Sequence, residues 1–194
     1  MNFKSKVFSV AAASIFALSL GTSAMASTAS VSQEITGNEE DGNTLTATLT
    51  NINFDALPYS HSVQYSEGEF TLTVNDLRGT YEGWAVSVSS GTFEYQGEVV
   101  GDWDISADNF ALIGILDPVY VAGQSIDGGL VSTSNTGTLD QSRNVLNAES
   151  GSGAGKYTQD LGVKLTVPAD RPVGDYIATV TVSLDAAPGQ GGEN

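Results

Sequence analysis

The chain contains no cysteine. Disulfide scaffolds, thiol nucleophiles and cysteine metal sites are thereby excluded. His61 is the only histidine, so a zinc hydrolase site built on several histidines is excluded as well. A Ser-His-Asp triad would have to use His61, and no G-x-S-x-G turn accompanies it. Basic residues are scarce: 7 Lys and Arg stand against 23 Asp and Glu, a formal net charge of −16. Such a surface does not attract nucleic acid or anionic lipid, and it is repelled by polyanionic wall polymers unless cations intervene. Helical periodicity is missing from residue 27 onward. No spacing singles out a pair of carboxylates for glycoside hydrolysis. Together these absences argue against an enzyme.

What is present begins with a leader. Lys4 and Lys6 precede an apolar run over residues 7–20, and Ala24-Met25-Ala26 has the form of a signal-peptidase site. Residues 1–26 are therefore expected to be a secretory signal peptide, with Ser27 the first mature residue and no membrane insertion after cleavage. Removing 26 of 194 residues leaves 168, enough for one domain with its own core. Loss of the two lysines takes the net charge from −16 to −18. The expected division is a leader at 1–26, one domain at 27–188 and a polar tail at 189–194. The tail carries neither an apolar stop-transfer segment nor a sorting motif for covalent wall attachment.

Within the domain, period-two alternation dominates. Leu45, Ala47 and Leu49 alternate with threonines; Phe70, Leu72 and Val74 alternate with Thr71 and Thr73; Trp84, Val86 and Val88 alternate with Ala85 and Ser87. Each pattern predicts a half-buried strand. The segments before and after the link at 75–83 read as two antiparallel strands about a turn. Residues 27–35 alternate weakly and predict a first strand, followed by an acidic turn at 37–43. Residues 110–116 form a short apolar run that predicts a buried strand. Residues 123–158 are rich in Gly, Ser, Asn and Thr and are the least regular part, with a short strand expected at Val145-Leu146. Leu161, Val163, Leu165 and Val167 alternate again, and Tyr176 to Leu184 reads as the longest clean strand. Many short strands with Gly and Pro turns predict an all-β fold: a single antiparallel β-sandwich with Greek-key, Ig-like or jelly-roll-like connections.

The stretch Asp76-x-Arg78-Gly79-Thr80-x-x-Gly83-Trp84-x-Val86 resembles the first signature of the WxL domain, found on cell-surface proteins of Gram-positive bacteria. That signature runs D-x-R-G-T-G-x-G-W. The second signature, a Pro-Gly turn followed by Y-T-x-T-L-T-W-x-L and a closing Pro, is matched by Pro172 to Leu184, with Tyr176 and Leu184 in place and Pro188 closing. The chain departs from the pattern twice: Tyr81 stands for the glycine after Thr80, and Val182 stands for the second tryptophan. The resemblance implies a secreted, non-catalytic cell-surface protein that associates non-covalently with wall peptidoglycan or another wall polymer. It also implies a membrane-anchored partner, the WxL-interacting protein.

The signature residues carry two readings. Trp84 on an alternating strand is a core residue, and Asp76 with Arg78 clamps the turn by an ion pair. The functional reading makes Trp84, Tyr81 and Arg78 a partly exposed platform for a sugar ring or a peptide carboxylate. Asp102-x-Asp104-x-Ser106-x-Asp108 places oxygens at alternate positions, as a calcium loop does. It lacks the glycine at position six and the glutamate at position twelve, where Ile113 stands, so a solvated loop without a cofactor is the simpler reading. Two other functions fit the composition. One is a structural subunit or adhesin that self-assembles by adding an edge strand to a neighbour's sheet or binds a host or environmental ligand. The other is a carbohydrate-binding module.

Overall fold

A computed structural model describes residues 25–29, 44–123 and 129–186. The strands in chain order are β1 (Met25–Ala29), β2 (Leu45–Leu49), β3 (Gln64–Asp76), β4 (Trp84–Ser90), β5 (Glu94–Tyr95), β6 (Phe110–Ile115), β7 (Val119–Gly123), β8 (Leu130–Ser132), β9 (Gly137–Thr138), β10 (Arg143–Ala148), β11 (Gly155–Val167), β12 (Tyr176–Ile177) and β13 (Val180–Asp185). One 3-10 turn, Ala107–Asn109, is the only helical element among the described residues. The expected acidic turn, the rest of the predicted first strand after Ala29, and the tail with Pro188 lie outside them.

Two antiparallel sheets enclose a common core. The first has the order β1-β13-β4-β10-β8 and the second β2-β3-β11-β6-β9, with β7 also paired to β11. The alternation read from the sequence is what builds them. Leu72, Val74, Leu161 and Val163 of the second sheet and Trp84, Val86, Leu146 and Val182 of the first are all buried in one cluster. Burial of each such side chain contributes roughly 1.5–3 kcal/mol. The all-β expectation therefore holds. β1 runs from Met25, across the expected cleavage point, and three of its five pairings with β13 involve residues from Ser27 onward.

Three sequence expectations need correction. The segments on either side of the link at 75–83 are not neighbours: β3 lies in the second sheet and β4 in the first. Gly79, Tyr81 and Gly83 all have positive φ, and these turns carry the chain across the core from one sheet to the other. Alternation alone cannot tell two strands side by side from two strands face to face, since each buries one face in either case. Next, the longest strands are β3 and β11, 13 residues each, paired from Lys156↔Asn75 to Val167↔Gln64. Glycine at 68 and 162 masked their full length, though both strands keep their register through those positions.

Finally, residues 176–184 are not one strand. β13 pairs with β4 in the first sheet, whereas β12 pairs with β5 in a separate two-stranded ribbon. The break is matched on both chains: β4 ends at Ser90 and β13 begins at Val180 at the same level. The Gly91 N–H donates to Thr179 O at 2.9 Å there. The pair leaves the sheet together and continues as a ribbon, so period two survives in the sequence while the sheet does not. Val182, standing for the resembled signature's tryptophan, is 1% exposed beside Val88. Val182→Trp should overpack this site and lower stability by about 1–3 kcal/mol, measured by urea denaturation.

Candidate functional site

The link between β3 and β4 sits at one end of the sandwich, and Arg78 is its hub. Asp76, at the end of β3, is buried, and its carboxylate accepts from Arg78 Nε at 3.0 Å and Nη2 at 2.9 Å in a two-pronged pair. The same carboxylate accepts the Arg78 backbone N–H at 3.0 Å, which closes the turn. Arg78 Nη2 also donates to Gly83 O at 2.9 Å, and Nη1 donates to Ala186 O at 2.8 Å. One side chain thus ties together the end of β3, the start of β4 and the segment after β13. These are the two regions that carry the signature resemblance. Glu82, on the exposed rim, lies 3.7 Å from Nη1.

Trp84 faces the interior. It is 0% exposed, packs near Tyr157, and donates its indole N–H to Gly153 O at 3.1 Å. The roof over it is the loop between β10 and β11, Glu149-Ser-Gly-Ser-Gly-Ala-Gly155. Two glycines make that fit. At Gly153, φ is +84° and a Cβ would lie 2.4 Å from Ala148 Cβ and 2.7 Å from Trp84 Nε1. At Gly83, φ is +80° and a Cβ would lie 2.4 Å from Ala148 O. The roof is also tied to the link, since Gly151 N–H donates to Tyr81 O at 2.8 Å.

The three residues expected to form an exposed platform are therefore not brought together as one. Trp84 is enclosed, so its ring offers no face to a ligand. The Arg78 side chain is 10% exposed, and its guanidinium is occupied by Asp76, Gly83 and Ala186. Only Tyr81 remains at the surface, 46% exposed. The structural reading of Asp76, Arg78 and Trp84 holds in place of the platform. Gly79 and Thr80 continue the same turn, with the Thr80 hydroxyl near Glu82 at 3.3 Å. Tyr176 and Leu184 are divided between the ribbon and the first sheet, Leu184 in the core and Tyr176 against Tyr95 at 5.2 Å between ring centroids.

Tyr81 has φ of 55°, in the left-handed region that disfavours a side chain. This gives a backbone reason for the glycine that the resembled signature carries there. Tyr81→Gly should stabilise the fold by about 0.5–1 kcal/mol, the relief of strain exceeding the added freedom of the unfolded chain. A urea series of the two proteins checks it; a loss of stability would mean that the Tyr81 ring contributes packing that outweighs its backbone.

The acidic loop does not gather. Among the described residues no group of three or more His, Asp or Glu side chains converges as a metal site requires. Asp104 accepts the Tyr95 backbone N–H at 2.8 Å, and Asp108 accepts from Asn109 Nδ2 at 3.0 Å. Asp104 and Asp108 are each employed in a local hydrogen bond, and among the described residues Asp102, Asp104 and Asp108 do not converge as a ligand set. His61 lies in an exposed loop, with Nδ1 2.5 Å from Asp170 Oδ1 and the Tyr59 hydroxyl 3.2 Å from the same oxygen. Asp170, like Tyr81, has positive φ. The pair fastens the loop before β3 to the turn after β11. No helix of the described residues is long and apolar enough to cross a membrane.

Residues 92–95 read as strand from the sequence, and β5 falls there; what sequence reasoning missed is its pairing with β12 in a ribbon and the groove beside it, lined by Gly91, Thr92, Glu94, Gln96, Ile177 and Thr179. The alternation at 92, 94 and 96 marks a strand, but a partner far along the chain leaves no local signal. Tyr176 is held above the usual phenol range, by burial first and then by neighbouring Tyr95, and its hydroxyl donates to Pro172 O at 2.9 Å.

The WxL domain family, described as surface cell wall-binding, matches residues 32–188. No curated protein and no solved structure matches the chain.

Proposed function

Because the chain belongs to the WxL domain family of surface cell wall-binding proteins, we propose that it is a secreted, non-catalytic protein held on the wall by non-covalent association with peptidoglycan. The family match over most of the chain carries this reading. Charge supports the choice of ligand. A chain of net charge −16 is repelled by polyanionic wall polymers, which leaves the neutral glycan and peptide portions of peptidoglycan as the favourable contact. A membrane-anchored partner of the WxL-interacting class would supply a second attachment.

The signature residues serve this role indirectly. Arg78 and Trp84 hold one end of the sandwich rigid, and Tyr81 is the aromatic residue of the link left at the surface to meet a ligand. Sedimentation of the purified protein with purified peptidoglycan sacculi tests the reading, with and without added calcium. The expected result is recovery of the protein in the pellet, saturating with protein concentration. Recovery in the supernatant in both arms overturns it.

A further inference from the structure

We infer that the polar face of the β5–β12 ribbon is a glycan subsite that takes a neutral pyranose. This deepens the wall-associated reading and rests on it for the biological source of the sugar. Ile177 lies directly opposite Glu94 in the ribbon register, so both project from the same face. Thr92, Gln96 and Thr179, just outside the two strands, line the same groove as Glu94 and Ile177. All five, with Gly91, line one open groove of about 380 Å3. That volume is in the range of small-molecule sites, roughly 300–1,000 Å3.

The chemistry of the lining selects a sugar. Two threonine hydroxyls and one glutamine amide both donate and accept, which suits ring hydroxyls that do the same. The Glu94 carboxylate accepts from adjacent hydroxyls. Ile177, 60% exposed, offers an apolar surface to the C–H face of a ring. The only charged group is acidic, in a chain of net charge −16, so phosphate and uronate ligands are disfavoured.

The ribbon is also fixed from behind. Tyr95 and Tyr176 occupy its other face, 5.2 Å between ring centroids. The Tyr95 hydroxyl donates to Val173 O at 3.0 Å, and the Tyr95 backbone N–H donates to Asp104 at 2.8 Å. Phe93 bridges to Ile105 at the ribbon's base. A comb of polar groups on a backbone held this firmly loses little freedom on binding.

Titration of the isotope-labelled protein with chitotetraose, followed by amide chemical shifts, tests the inference. Saturable shifts are expected at residues 91–96 and 177–179. Glu94→Gln and Ile177→Ala are surface changes that should keep the spectrum of the folded protein and weaken the sugar at least about fivefold, in line with the loss of one hydrogen bond or one apolar contact. Shifts that map elsewhere, no shifts at all, or shifts at the groove with a lysine-containing stem peptide but not with chitotetraose overturn the subsite. Sedimentation with sacculi is read in parallel. A protein that pellets with sacculi yet shows no groove shifts with chitotetraose retains its wall association and loses this subsite. Groove shifts without pelleting establish the subsite and remove the peptidoglycan reading.

Discussion

Arg78→Ala is expected to lower the stability of the fold by about 3–5 kcal/mol, the range for removing one partner of a buried ion pair. The Asp76 carboxylate would be left buried with only the residue 78 backbone N–H to satisfy it. Gly83 O and Ala186 O would lose their donor at the same time. Against a typical total of roughly 5–15 kcal/mol, this is a large fraction. The urea midpoint should fall with little change in slope. Removing both members, Asp76→Ala with Arg78→Ala, should cost less than the sum of the single changes, because the stranded carboxylate goes too. Additive effects would mean that the pair is no more than two independent surface contacts. Arg78→Lys should fall between, since an ammonium cannot reproduce the planar fork that meets two carboxylate oxygens and two carbonyls.

Trp84→Ala carries an expected cost of similar size, about 3–5 kcal/mol, from lost burial and the cavity left beneath the roof loop. Trp84→Phe separates packing from hydrogen bonding. It keeps most of the ring but leaves Gly153 O without the indole donor, and should cost about 1–3 kcal/mol. Both variants are read by urea denaturation. The pelleting of Trp84→Phe with sacculi, measured where it is fully folded, discriminates further. Unchanged pelleting follows from an enclosed indole. Loss of pelleting in a folded Trp84→Phe protein would mean that the roof opens and the ring meets the wall after all.

The core was legible in the sequence wherever apolar and polar residues alternate without interruption. Leu72 and Val74, Val86 and Val88, and Leu161 and Val163 each share one face of an alternating pattern, and all are buried. The Asp76–Arg78 pair was legible too, because two residues at a strand end lie within reach of each other. Other features depended on partners far away in the chain. The fit of Gly153 over Trp84 arises from residues 69 apart, and a glycine-rich stretch has no side chains through which to announce a roof. The crossing between sheets at Gly79, Tyr81 and Gly83 is a matter of backbone angle, for which Tyr81 gives a misleading sign. Residues 176–184 kept their period while changing partners, so one pattern covered two elements.

The pairing of β3 with β11 also governs the order of events in folding. These two strands form the spine of the second sheet, and Asn75 meets Lys156 only after the intervening chain has closed into a loop. Closing a loop of that length has an entropic cost before any pairing compensates it. Nearly every other connection changes sheets as well, so few contacts are local. Folding should therefore fall in the millisecond-to-second regime of β-rich topologies rather than the microsecond regime of helical bundles. A chain that stops short of Gly155 has β2 to lie along one edge of β3 and nothing for the other. That second edge remains unpaired and open to neighbours until β11 arrives.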